Sequence, residues 1–152
     1  MSVNSRRKLL KTIDVDRVKA AIAAAERETC GEVRVSVSRF FWGPVRRVAE
    51  RAFARLGMAK TKDRNAILFF IVPSRKKFVV LGDQGIHDKV GQNFWDCVAA
   101  LMSEHFKKGE FTEGLVAGIG EAGRELAAFF PYDATADVNE LSDEIDFGKS
   151  RR

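Results

Sequence analysis

The chain has 152 residues, of which 45% are apolar and 31% charged, and it carries a net charge of +5. That length supports one domain whose core buries about two thirds of the surface an unfolded chain exposes, so no disulfide or metal framework is needed to replace a core. No apolar run approaches the about 20 residues of a membrane span, and the longest, "AILFFIV", is strand-sized.

The first segment, "MSVNSRRKLLKTID", lacks an apolar stretch of signal-peptide length. Asp14 stands where it can cap a helix through "VDRVKAAIAAAERETC", with Ile13 and Val18 spaced as a hydrophobic staple. Val15, Val18, Ala21, Ile22 and Ala25 give that helix one apolar face, and Gly31 stops it. "EVRVSVSRF" alternates, with Val33, Val35 and Val37 against Arg34, Ser36 and Ser38, which predicts a strand with one covered face near a sheet edge. "FWGP" turns the chain into a helix over "VRRVAERAFARLGM". Its Val45, Val48, Ala52 and Phe53 face inward, and Arg47, Arg51 and Arg55 form an outward basic stripe.

"AILFFIV" is apolar on both faces, as a central strand should be; "PSRKK" is a tight connection and "FVVL" returns antiparallel. Helices follow over "QNFWDCVAALMSEHFKK", ending at Gly109, and "TEGLVAGIGEAGRELAAFF", ending before Pro131. Residues 1–12 are read as an N-terminal extension, 13–131 as the domain, and 132–152 as a tail. There the periodicity gives way to acid, so the tail is expected to be partly disordered and free to fold back over the basic stripe. Cys30 and Cys97 have neither a CxxC partner nor a histidine at ligand spacing, which points to reduced thiols in a cytoplasmic protein.

The order α-β-α-β-β-α-α gives a right-handed parallel strand pair extended by an antiparallel hairpin, with helices on both faces. In that topology the start of the first strand and both outer ends of the hairpin share one rim of the sheet. Glu32, Asp63 and Asp83 therefore converge there from distant parts of the sequence. Like charges so close raise one another's pKa unless a cation compensates them, and an oxygen-only set selects Ca²⁺ or Mg²⁺ over zinc. The alternative is that these acids are solvated or paired with Lys60, Lys62 and Arg64.

Four segments, "IDVDRVKAAIAAAERETCGEVRVSV", "LGMAKTKDRNAILFFIV", "VVLGDQGI" and "FKKGEFTEGLVAGI", together resemble the TPM domain family. That family is named for a thylakoid-lumen phosphatase, a photosystem II repair protein and a nematode receptor accessory protein. The resemblance spans residues 13–131 and implies a three-layer α/β/α, Rossmann-like sandwich around a small mixed sheet. It also implies binding of calcium or a related divalent cation, carried onto Asp63 of "KDRN" and Asp83 of "GDQG", and less closely onto Glu32 of "GE". Many members carry an export signal and a membrane helix or low-complexity tail, which this chain is read as lacking, and Ala66 stands where glycine is expected.

The plant member's activity implies an acid phosphatase. A metal on Glu32, Asp63 and Asp83, with Arg64 beside it and His87 as proton donor, would meet the basic requirements. No cysteine-arginine P-loop, "DxD" nucleophile or two-metal signature accompanies them, however. His87 otherwise reads as a surface histidine and His105 as an edge-of-core residue. Trp42 and Trp95 read as packing, or, for Trp42 with Phe40 and Phe41, as an exposed sticky loop at the end of the first strand opposite the acidic rim. The basic stripe reads as a solvated face, and without interleaved aromatics or a reading motif the charges argue against nucleic acid. The expected function is thus a stand-alone, cation-binding TPM-type domain with low phosphatase activity. A non-catalytic, ion-stabilised module that binds a protein partner is the alternative.

Overall fold

A computed structural model describes residues 12–133 and 143–148. The expected N-terminal extension, apart from Thr12, and the tail segments 134–142 and 149–152 lie outside the described residues. Helix α1 (Val15–Glu28) leads into β1 (Glu32–Val37) and α2 (Val45–Arg55), followed by β2 (Ala66–Val72) and β3 (Lys77–Gly82). A one-turn helix α3 (Gln84–His87), α4 (Gln92–Lys107) and α5 (Phe111–Ala127) complete the order. The one-turn α3 is an element that periodicity could not reveal, because four residues are too few to show a repeat.

The first helix is capped as expected. Asp14 caps α1 by accepting the Arg17 N–H, and Ile13 and Val18 are both buried beneath it. The sheet order is β1-β2-β3. β1 and β2 run parallel from Glu32 opposite Ala66 to Val37 opposite Ile71, and β2 and β3 run antiparallel from Ile67 opposite Gly82 to Val72 opposite Lys77. Every residue of β2 is buried.

Two cores flank the sheet. Val33, Val35, Val37, Ile67, Phe69 and Ile71 pack against α1, α4 and α5 on one face. Leu68, Phe70 and Val72 pack against Val45, Ala49 and Ala52 of α2 on the other, so the fold is a three-layer α/β/α arrangement around a small mixed sheet. The first layer is tight because α5 carries glycines at its contacts. A Cβ on Gly123 would lie 2.9 Å from the Ala25 Cβ of α1, and one on Gly118 would lie 2.7 Å from the Met102 side chain of α4.

β1 departs from the expected one-sided strand: Glu32 and Ser36 are buried as well as the valines. For Ser36 the cause is the distal chain. Asp146 N–H donates to Val35 O and Val37 N–H donates to Asp146 O (2.9 and 2.8 Å), which adds a short parallel bridge to the outer edge of β1. Ile145 and Phe147 enter the core on either side of that bridge. The Asp146 carboxylate accepts two hydrogen bonds from Arg55 (3.1 and 2.7 Å) and one from Ser36 (2.8 Å). Residues 143–148 thus form a strap that reaches the basic stripe at Arg55, while Arg47 and Arg51 stay exposed.

Candidate functional site

The rim at the start of β1 is built by three backbone stretches. Glu32 N–H donates to Asn65 O, Asp83 N–H donates to Ala66 O and Gly85 N–H donates to Arg64 O. The turn between Thr61 and Asn65 is pressed hard against α3, since a Cβ on Gly85 would stand 2.2 Å from Asp63 O and 2.7 Å from Arg64 O. Only glycine fits there. Arg64 adopts a left-handed backbone conformation (φ 52°), which costs about 1–2 kcal/mol for a residue with a Cβ. The conformation holds because its carbonyl and its side chain both tie to the 83–85 segment.

That side-chain tie is the main electrostatic feature of the rim. Arg64 Nε and Nη2 donate to the two Asp83 carboxylate oxygens (2.6 and 2.8 Å), and Gln84 N–H donates to Oδ1 (2.8 Å), so Asp83 also caps α3. Asp83 is only 6% exposed. Burial pushes its carboxyl upward, but the Arg64 guanidinium and the Gln84 N–H outweigh burial and hold it below the ordinary carboxylate range. The pairing weighed in the sequence as the alternative to a cation is therefore present at Asp83.

The other two expected ligands are placed differently. Glu32 is buried at 3% exposure on β1, whereas Asp63 is exposed on the turn. The fold brings all three stretches to one rim, yet among the described residues no three His, Cys, Asp or Glu side chains group in a way that could hold a metal ion. Two neutral oxygens in the same turn, Thr61 Oγ1 and Asn65 Oδ1, are buried without a hydrogen-bond partner among the described residues. Neither residue type marks a site by its identity alone.

Around the corner of the rim, Arg46, Glu50, Phe53, Leu81, Gly82 and His87 line a shallow groove of about 220 Å³ between α2 and β3. His87 is exposed and stacks obliquely near Trp95 (centroids 5.2 Å apart). His105 hydrogen-bonds Glu110 (3.0 Å) far from this groove, on the outer helices.

A second carboxylate cluster was not visible in the sequence. Glu26 of α1 shares a hydrogen bond with Asp143 of the strap, accepts the Val33 N–H (3.3 Å) and has the Glu32 charge nearby. Burial, then Asp143, pushes the Glu26 carboxyl up to about 9. It is a protonated acid at neutral pH. In "AAAERE" it reads as one more solvated helix charge, and its partner lies at the far end of the chain.

A small parallel strand pair with an antiparallel neighbour, covered by helices on both faces and closed at one rim by a strained basic turn, defines a compact α/β/α domain of the Rossmann-like type. The TPM domain profile matches residues 3–125, and the chain belongs to that family. Among solved structures it is similar to the BA42 protein of the psychrophilic bacterium Bizionia argentinensis, at 36% identity and a TM-score of 0.84 over 91% of this chain and 94% of that one. The N-terminal domain of the cg2496 protein from Corynebacterium glutamicum shares the fold at 11% identity (TM-score 0.59, covering 91% of this chain and 81% of that one). The N-terminal domain of a P. gingivalis protein does so at 17% identity (TM-score 0.61, covering 73% and 72%). No curated protein sequence matches the chain. Among the described residues no helix is long and apolar enough to cross a membrane.

Proposed function

We propose that this TPM domain binds a divalent cation, Ca²⁺ or Mg²⁺, at the rim formed by the Thr61–Asn65 turn and Asp83, with Asp63 and Glu32 contributing charge. The single observation behind this reading is the pair of unpartnered buried oxygens, Thr61 Oγ1 and Asn65 Oδ1, in the turn that carries Asp63 and is pinned to Asp83. Buried oxygens without partners are costly to the fold and fit a hard cation that prefers neutral and anionic oxygen ligands. Arg64 then acts as the resident counter-charge. Its side chain is 46% exposed, so it can leave Asp83 without unpacking the core.

Calcium titration followed by backbone NMR tests this. Shifts confined to residues 30–33, 61–66 and 82–88, lost in Asp83→Asn, are the expected result. Arg64→Ala should tighten the response, because it removes the competitor for Asp83. An unchanged wild-type spectrum overturns the reading.

A second reading, weak phosphomonoester hydrolysis, is favoured by the groove that brings Arg46 and His87 next to the rim. A bound divalent cation would supply Lewis-acid polarisation of a phosphoryl oxygen. Arg46 would clamp the phosphoryl oxygens and His87 would hold the proton for the leaving group. Hydrolysis of p-nitrophenyl phosphate that falls in His87→Ala and in Arg46→Ala is expected. Activity that persists in both variants removes Arg46 and His87 from the chemistry, and no hydrolysis by the wild-type chain overturns this reading and leaves the non-catalytic, ion-stabilised module.

A further inference from the structure

The end of the sheet opposite the rim carries a different chemistry, and from it we infer that this domain docks onto anionic lipid bilayers. The parallel register, which ends with Val37 opposite Ile71, and the hairpin register, which ends with Val72 opposite Lys77, put the loop after β1 and the β2–β3 turn side by side. Trp42 stands at the crest of that loop, 89% exposed, with Phe40 45% exposed and meeting it edge-on at 4.8 Å. A solvent-exposed tryptophan of this kind is costly to leave in water and matches the amphipathic character of the lipid headgroup region.

The crest is not loose. Arg75 Nη1 donates to Phe41 O (3.2 Å) and Gly43 O (2.8 Å), and its guanidinium lies 5.4 Å from the Phe41 ring centroid. Phe41 in turn lies near Phe70 of the second core, with centroids 6.5 Å apart. The hairpin therefore braces the loop so that its backbone is held while Trp42 and Phe40 face outward. A preorganised apolar tip loses little conformational entropy on docking.

Charge identifies the partner. The loop and helix start contribute Arg39 and Arg47, the turn contributes Arg75, Lys76 and Lys77, and residues 38–47 and 73–77 contain no acid. Arg39, Lys76 and Lys77 are exposed beside the aromatic crest. Aromatic side chains at a tip with cations on its shoulders complement a surface that is apolar in depth and anionic on top. A base-stacking platform would instead need a groove to track a phosphate backbone. Here the crest projects, and among the described residues nothing lies within 4 Å of where a side chain at Gly43 would stand.

The test is co-sedimentation of the full chain with phosphatidylcholine vesicles that do or do not contain phosphatidylserine. It is run in chelator, so that no cation at the rim can bridge to lipid. The chain should sediment with the anionic vesicles and not with the neutral ones, with a blue shift in tryptophan emission. Trp42→Ala should lower partitioning about tenfold, a modest share of what burial of an aromatic ring supplies. It should also abolish the blue shift. Lys76→Gln and Lys77→Gln should each lower partitioning about fivefold, as loss of one surface cation does near an anionic leaflet. These positions are exposed, so the variants should fold normally, checked by circular dichroism. Equal binding to neutral vesicles, failure to bind anionic vesicles at low salt, or binding indifferent to Trp42→Ala overturns the inference. Retention on poly(U) that requires Trp42, without vesicle binding, reassigns the crest to single-stranded nucleic acid.

Discussion

Two groups of buried or half-buried carboxylates in this small domain have opposite fates. Asp83 at the rim and Asp146 on the strap each meet an arginine through two hydrogen bonds and are held below the ordinary carboxylate range. Burial acts against ionisation at Asp146 too, but Arg55 and Ser36 outweigh it. Glu26 meets another acid instead and becomes a neutral hydrogen-bonding group. Burial raises all three; the partner decides the sign. The lesson is that depth alone does not say whether an acid in a TPM domain is charged, and hence available to a cation.

The sharpest way to break the contrast is Asp146→Ala. It removes both Arg55 bonds and the Ser36 bond and leaves the strap without its anchor. A loss of about 2 kcal/mol in urea unfolding is expected, in the range for charge-assisted hydrogen bonds at a largely buried carboxylate. Asp83→Asn is milder, because an amide oxygen can still accept from Gln84 N–H. A loss of about 1 kcal/mol, measured the same way, is expected.

The smallest effect at neutral pH has the opposite sign. A depressed carboxyl contributes stability that is present above its unfolded value and is lost as pH falls through its folded value. Asp83 and Asp146 therefore weaken the fold on the acid side, below the unfolded carboxylate value of about 4. Glu26 runs the other way: its contribution is full below the unfolded value and is lost as pH rises toward about 9. Thermal midpoints should accordingly peak in mildly acidic buffer. Glu26→Gln, which keeps a neutral hydrogen-bonding group, should flatten the alkaline decline and raise the midpoint by a few degrees above neutrality, read by thermal melts across pH.

Why some of this was legible and some was not follows from the range of the interactions. Period-2 alternation exposed β1, an unbroken apolar run exposed β2, and 3.6-residue spacing exposed the long helices, because each pattern lies within one segment. The rim was legible at the level of the backbone: parallel pairing and a hairpin bring Glu32, Asp63 and Asp83 to one end whatever their side chains do. The choice of Asp83 for Arg64 was not, since it depends on the left-handed turn at Arg64 and on the close approach at Gly85. Glu26 with Asp143, and Arg55 with Asp146, join elements from opposite ends of the chain, and no local pattern marks such pairs. The buried Ser36 was misread for the same reason, as its cover comes from the strap.

The strap at residues 143–148 has a consequence for how copies of this chain behave toward one another. Among the described residues β3 has no strand on its outer side, while β1 has Asp146 on its own. Cutting the chain ahead of Asp143 would bare a second row of backbone donors and acceptors and turn a sheet with one open side into one that can stack in both directions. The distal segment, which also seats Ile145 and Phe147 in the core, thus covers a sheet edge that would otherwise be open to pairing with another chain.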